Sequence, residues 1–172
     1  MADKKTKAES STKQGPSDGA AAKPAGGPAI QIASQYVKDL SFENPNAPQS
    51  VQGGAPAPQV SVNVDVRTQQ VTDDTYEVVL HIKGDAKTGD TQAFIVELSY
   101  GGVVSLSATV PKEHVAPLLL IEAPRMLFPF ARAVIAEATR DGGFPPMLVQ
   151  PIDFTDLFRR QVEAMKAQQK TG

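Results

Sequence analysis

Three stretches in which apolar and polar residues alternate at every second position set the strongest limit on how this chain folds. Residues 59–67 put Val60, Val62, Val64 and Val66 on one side and Ser61, Asn63, Asp65 and Arg67 on the other. Residues 76–83 place Tyr76, Val78, Leu80 and Ile82 inside, with Glu77, Val79, His81 and Lys83 facing out. Residues 93–100 place Phe94, Val96, Leu98 and Tyr100 inside, with Ala93, Ile95, Glu97 and Ser99 facing out. Side chains of a strand alternate between its two faces, so a period of two predicts strands with one dry face. Asp73-Asp74 forms one turn between them, and Gly84, Asp85, Gly89 and Asp90 form the next. Turns this short predict an antiparallel sheet.

A fourth strand is expected before these, over residues 30–43. Ile30, Ile32, Tyr36, Leu40 and Phe42 would form its dry side, which Lys38 interrupts; Val37, Asp39, Ser41 and Glu43 fall at the odd positions. Residues 44–58 are rich in Pro and Gly, which exclude helix and central strand. Across so long a connection the next strand need not pair with the first. Gly101-Gly102 fits either a hairpin turn or a bulge in one long strand, and Val103, Val104 and Leu106 continue the β character in both cases.

After Pro111 the periodicity changes. An apolar run over 115–121 is disturbed by Pro124, and Pro129 is suited to the first turn of a helix over 130–140 that ends at Gly142-Gly143. Asp153 or Thr155 can cap a last helix carrying Phe154, Leu157, Phe158, Val162 and Met165 at helical spacing. Strands first and helices after predict an α+β fold, a four-stranded antiparallel sheet with helices packed on one face.

The 172 residues, 41% hydrophobic and 21% charged, suit one globular domain. Residues 1–29 hold five lysines and three acids, a net of +2 that leaves −4 for the remainder. This segment has almost no large apolar residue and is expected to be a disordered tail, with the domain spanning 30–172. It has no apolar stretch of a secretory signal. No run approaches the ~18 apolar residues of a membrane span, so direct membrane insertion is not expected. The absence of Cys excludes disulfides and thiolate ligands.

The sequence carries no recognisable catalytic motif. There is no GxxxxGK[ST] or GxGxxG loop for a nucleotide and no GxSxG elbow, and no base is expected beside a serine. His81 and His114 are the only histidines and lack metal-ligand spacing. No metal, cofactor or enzymatic activity is expected. Nucleic acid is disfavoured, because Asp39, Glu43, Asp65, Glu77 and Glu97 take outward strand positions against Arg67, Lys83 and Lys38. These acids with Val37, Val79 and Ile95 among them form either an ordinary wet sheet face or a docking face. Leu118, Leu119, Leu120, Ile121, Met126, Leu127 and Phe128, with the Phe154, Leu157, Phe158 stripe, exceed what so thin a sheet can cover. The excess is subunit interface or a groove for extended apolar segments.

Five stretches in order, KDLSFENPNAP (38–48), DDTYEVVL (73–80), AFIVEL (93–98) with GG at 101–102, LFPFAR (127–132) and GGFPPMLVQPIDFTDLF (142–158), resemble the SecB family of export chaperones. The resemblance implies a dimer of dimers in the cytoplasm and favours a bulge at Gly101-Gly102 within one long strand. It implies a chaperone that binds unfolded precursor proteins without ATP and delivers them to the SecA motor. Asp39, Glu43, Ile95 and Glu97 match the family's SecA-contacting positions, with Ile in place of a common Leu. Client-binding candidates, chosen by position, are Leu118, Ile121, Met126, Phe128, Phe144, Phe154 and Phe158, in grooves between the helices and loop 44–58. The chain departs from relatives in lacking a Trp in that loop and in its longer Lys-rich tail.

Overall fold

The computed structural model describes residues 28–52 and 56–169; residues 1–27, which hold nearly all of the expected tail, lie outside the described residues. Strand β1 is Ile30–Glu43, and a short 3-10 turn follows at Gln49–Val51. Strands β2 (Gln59–Gln70), β3 (Thr75–Thr88) and β4 (Thr91–Leu106) come next. Helix α1 (Lys112–Pro117) passes through a π-helical stretch, Leu118–Glu122, into α2 (Ala123–Asp141), and α3 is Phe154–Gln169. The sheet order is β1-β4-β3-β2, with every neighbouring pair antiparallel. The long connection after β1 therefore carries the chain to the opposite edge. Gly84 and Asp85 belong to β3 rather than to a turn, which shortens the β3–β4 connection to Gly89-Asp90.

The inner face of β2, β3 and β4 follows the alternation closely at its centre. Val66, Val78, Leu80, Ile82, Phe94, Val96, Leu98, Tyr100 and Val104 are buried in one core. Val60 and Val62 are not: they are 42% and 43% exposed. Helix α2 packs on β4, β3 and β1, so the start of β2 extends beyond its cover.

Strand β1 departs from a single dry side. Its pairing with β4 shifts between Ile32 and Ser34 and again between Val37 and Asp39. Each shift inserts one residue and reverses which face the following side chains take. Tyr36, expected inside, therefore shares its cross-strand row with Gly101 and Val79 on the outer face, and Val37 turns to the helix side. The second shift, at Lys38, returns Leu40 and Phe42 to the helix side. The expected interruption of the dry side at Lys38 is thus a bulge.

Gly101-Gly102 forms no hairpin, and β4 runs through it as one strand. Its pairing with β3 is continuous there, and the irregularities lie in β1. The glycines serve close approach instead. A Cβ on Gly102 would lie 2.7 Å from Leu127 of α2, and one on Gly101 would lie 2.8 Å from the Tyr36 ring.

Helix α2 presents Ala123, Leu127, Ala131, Ile135 and Thr139 to the core, one residue in four. Three prolines fall in this helical region, and a change of hydrogen-bond register precedes Pro124. Ala123 donates its N–H to Leu118 O, a bond of π type. The wider turn absorbs the break that Pro124 would impose, and the helix starts well before the expected position at Pro129. Pro129 itself sits in the helix interior.

Thr139 is fully buried and closes the helix end. Its Oγ1 donates to the carbonyls of Ile135 and Ala136 and accepts the Met147 N–H at 2.9 Å. Asp153 caps α3, accepting from the N–H groups of Thr155 and Asp156 at 2.9 and 3.1 Å. Replacing Thr139 by Val keeps the shape but strands the buried Met147 N–H, at a cost of about 1–3 kcal/mol. A urea titration at fixed protein concentration should show that loss in the Thr139→Val variant, with m unchanged.

Candidate interaction surfaces

The sheet's register sorts the outer face into cross-strand rows. One row joins Glu43, Ile95 and Asp85; the next joins Ser41, Glu97 and Lys83; a third joins Asp39, Ser99, His81 and Asp65. Asp39, Glu43, Ile95 and Glu97 therefore share one face, although 51 residues of chain separate the first pair from the second. Ile95 is half-buried between two carboxylates. Of the three aliphatics expected among the acids, only Ile95 is accessible there. Val37 lies on the helix side, and Val79 is 6% exposed because the Tyr36 ring fills the space beside it over Gly101.

Three ion pairs neutralise part of this face. Lys38 reaches Glu77 at 2.8 Å, Arg67 reaches Asp65 at 3.1 Å, and Lys83 pairs with Glu97. Glu77 also accepts the Tyr36 hydroxyl at 2.5 Å. The Lys38 ammonium and then the Tyr36 hydroxyl hold the Glu77 carboxyl below its usual range. The hydrogen bond to Glu77 pushes Tyr36 up to about 12, with burial adding to it.

One pairing was not foreseen from sequence. His81 Nδ1 lies 3.0 Å from Ser99 Oγ, across adjacent strands. A nucleophilic triad needs a carboxylate to orient the imidazole. Asp65, directly opposite His81, instead accepts from Arg67 and, at 2.9 Å, from Gln161. The pair thus reads as a hydrogen bond within a polar face. The two strands were legible, but their relative register was not, and the register is what brings a histidine to a serine.

On the other side of the sheet, an open groove of about 930 Å³ runs between the start of β2 and the extended segment 144–152. Val60, Val62 and Val64 form one wall, Pro145, Leu148 and Ile152 line the other, and Phe144 and Phe94 close the floor. Phe144 packs against Phe94 with ring centroids 4.8 Å apart. Leu148 is 61% exposed. Arg160 is the one charged residue lining this groove among the described residues. Ala57 and Pro58 bring the end of the long loop to the groove's rim.

Residues 23–165 match the family described as Preprotein translocase subunit SecB. A protein-export protein SecB from Rhodospirillum centenum is 52% identical over 133 residues, covering 77% of this chain and 79% of that protein. The one from Agrobacterium fabrum is 49% identical, covering 82% and 89%. This chain belongs to the SecB family. The fold of a SecB-like chaperone of Mycobacterium tuberculosis, solved in complex with a ChAD peptide from an antitoxin, superposes with a TM-score of 0.59 at 12% identity. It covers 72% of this chain and 91% of that one.

The expected client-binding residues of this SecB chain fall in several places. Phe128 and Phe154 pack edge to face with centroids 5.9 Å apart, both buried in the core of the single chain. Phe144 is on the floor of the 144–152 groove. Leu118 lines a separate small pocket beside His114. Ile121 and Phe158 are half-buried, and Met126 is exposed on α2. The groove walls, Val62 and Leu148 among them, were missed. For Val62 the alternation gave the face but not its exposure. For Leu148 the only sequence signal was the proline cluster Pro145, Pro146 and Pro151, which forbids helix and holds the segment extended.

The Tyr36–Glu77 contact makes stability pH-dependent at both extremes. A Tyr raised to about 12 from an unfolded value of 10 contributes stability that is complete below pH 10 and lost as pH rises towards 12. Glu77, depressed in the folded state, contributes stability that is lost in acid as pH falls through its folded value. Denaturation midpoints recorded against pH should fall less steeply above pH 10 for Tyr36→Phe, and less steeply in acid for Glu77→Gln, than for the unmodified chain.

Proposed function

We propose that this SecB chain is an ATP-independent molecular chaperone: it holds unfolded precursor proteins translocation-competent and delivers them to the SecA motor. The observation that carries the reading is the open apolar groove along β2, set apart from the acidic outer face. An extended client segment suits a channel walled by valines, Leu148 and prolines, because it brings side chains at every second position to such walls. Each client Leu or Phe buried there contributes roughly 1.5–3 kcal/mol. Ordering the client opposes this, so retention needs several grooves acting together.

A homotetramer, a dimer of dimers, supplies that multiplicity. Val37 and Leu40 on the helix side of β1, and Met126 and Phe130 one turn apart on α2, are all more than 40% exposed in the single chain. Their burial between copies would leave the β2 groove, at the opposite sheet edge, accessible. The rival reading, a scaffold whose apolar surface is all subunit interface, predicts a sealed groove. The location is cytoplasmic, where precursors await export.

The acidic face with Asp39, Glu43, Ile95 and Glu97 suits a basic partner surface around an aliphatic anchor, and we assign SecA docking to it. Charged surfaces of this kind steer association and set its salt dependence.

The decisive experiment dilutes a slow-folding precursor from denaturant with and without the chain and no nucleotide. Aggregation should be suppressed at stoichiometric chaperone. Failure to suppress it at molar excess would falsify the holding activity. Val62→Asp with Leu148→Asp should weaken client retention by about tenfold or more, as expected from charge in an apolar channel. Glu43→Lys with Glu97→Lys should instead weaken SecA binding several-fold and leave retention unchanged. Equal loss of both activities in either pair of variants would show that the two surfaces are not separate.

A further inference from the structure

The charges of the outer face are sorted along the strands. Three successive cross-strand rows, from Glu43 and Asp85 through Glu97 to Asp39 and Asp65, hold five acids against Lys83. The next row joins Arg67, Val79 and Gly101, and Lys38 stands beside it in the β1 bulge. Lys38 is satisfied by Glu77, whose two carboxylate oxygens both lie 2.8 Å from its ammonium.

Arg67 is not satisfied in the same way. Its side chain is 72% exposed, and only Nε is engaged, on one oxygen of Asp65 at 3.1 Å. Asp65 gives its other oxygen to Gln161 at 2.9 Å, so it does not make the two-bond contact that a carboxylate can make with a guanidinium. Neither Nη group of Arg67 has a partner among the described residues. A hollow of about 330 Å³ opens beside it, lined by Arg67, Lys38, His81 and Val79 among others. His81 uses Nδ1 on Ser99 at 3.0 Å, and its Nε2 has no partner among the described residues.

The Arg67 row lies six residues along β3 from the Ile95 row, about 20 Å away. A protein contact of standard size covers roughly 800 Å² on each partner, a disc about 30 Å across. Such a footprint takes in both Ile95 and Arg67. A uniformly basic partner would lay like charge over an open guanidinium fork. A partner with a carboxylate at that point would instead close a two-bond, charge-assisted contact.

We propose that Arg67, with His81 beside it, receives a carboxylate of the docked partner. The outer face then recognises a basic surface that carries one acid about 20 Å from the point covering Ile95. The inference rests on the SecA docking assigned above to Asp39, Glu43, Ile95 and Glu97. The acids draw the partner in, and the fork fixes its orientation, because a bidentate pair is planar and directional whereas a patch of acids is not.

The test turns on the sign of one effect. Arg67→Glu makes the face more acidic, so attraction between net charges alone gives tighter SecA binding. The carboxylate contact gives weaker binding, by about fivefold or more, the scale of one exposed charged pair. Arg67→Lys keeps the charge without the fork and should lose part of that affinity. Arg67 does not line the β2 groove, so retention of a denatured precursor by the same samples should match the unmodified chain and reports that they are folded. Tighter SecA binding by Arg67→Glu overturns the contact, and so does unchanged binding, which leaves the hollow to solvent or a free anion. Weaker binding in Glu43→Lys with Glu97→Lys beside tighter binding in Arg67→Glu keeps the docking function and removes only this contact. No loss in either set of variants removes the docking function itself.

Discussion

The seating of α2 on β4 is the contact on which both surfaces of this protein depend. Leu127 occupies the space that any side chain on Gly102 would need. Ala123 and Ala131, in line with Leu127 on the same helix face, add little bulk to hold the backbones apart. A helix set this close covers the middle of the sheet, across β4 and β3, and uses up one face. Two consequences follow. The other face stays polar, reached by α3 at Gln161, and the start of β2 projects past α2 with its valines unsealed. The π-helical turn at Leu118–Glu122 belongs to the same constraint. It lets the chain remain helical through Pro124 instead of breaking away from the sheet there.

Much of this was legible in the sequence, for a simple reason. Alternation with period two survives wherever a strand pairs without interruption, and β2, β3 and the centre of β4 do so. The fold class and the outward placement of Asp65, Glu77, His81, Lys83, Ile95 and Glu97 follow from it. Strand β1 was read less well, because a bulge leaves no mark on composition. Tyr36 is apolar enough to suit either face, and only the inserted residue between Ile32 and Ser34 decides that it turns outward. That turn buries Val79, so a residue expected at the surface is lost to a neighbour two strands away. The helix prolines were misjudged on similar grounds. Pro129 favours a first turn in isolation, and the wider π turn upstream has no local signature.

The two surfaces differ in how far sequence reaches them. Ile95 and Glu97 sit on regularly paired β4, where parity fixes the face. Asp39 and Glu43 keep their expected face because the two register shifts of β1 cancel before them, and the structure brings all four within two adjacent strands. The groove is another matter. Its outer wall, residues 144–152, has no secondary structure and no period, and the side chains it exposes depend on how it is pinned. Thr139 Oγ1 pins it by taking the Met147 N–H, and the stack of Phe144 on Phe94 and Phe42 pins it at the start. At the groove, Phe94 and Phe144 are spent on that anchoring and on the core. Smaller aliphatics are left to face the channel.

That division has an energetic logic. A groove for many clients gains from side chains that offer apolar area without a fixed shape, and a floor of buried rings keeps the channel from collapsing onto its own walls. Arg160, the one charged residue lining it among the described residues, pairs with Asp156, so any binding there would draw mainly on apolar area. The outer face behaves in the opposite way. Its strength is Coulombic, its reach is a Debye length, and three of its acids are already compensated by neighbouring cations. The groove and the acidic face therefore answer to different solution variables and sit on opposite sides of one four-stranded sheet. Under the proposed function, a client in the groove and a charged partner on the outer face would be separated by the hydrogen-bonded strands, and neither binding event would require those strands to move.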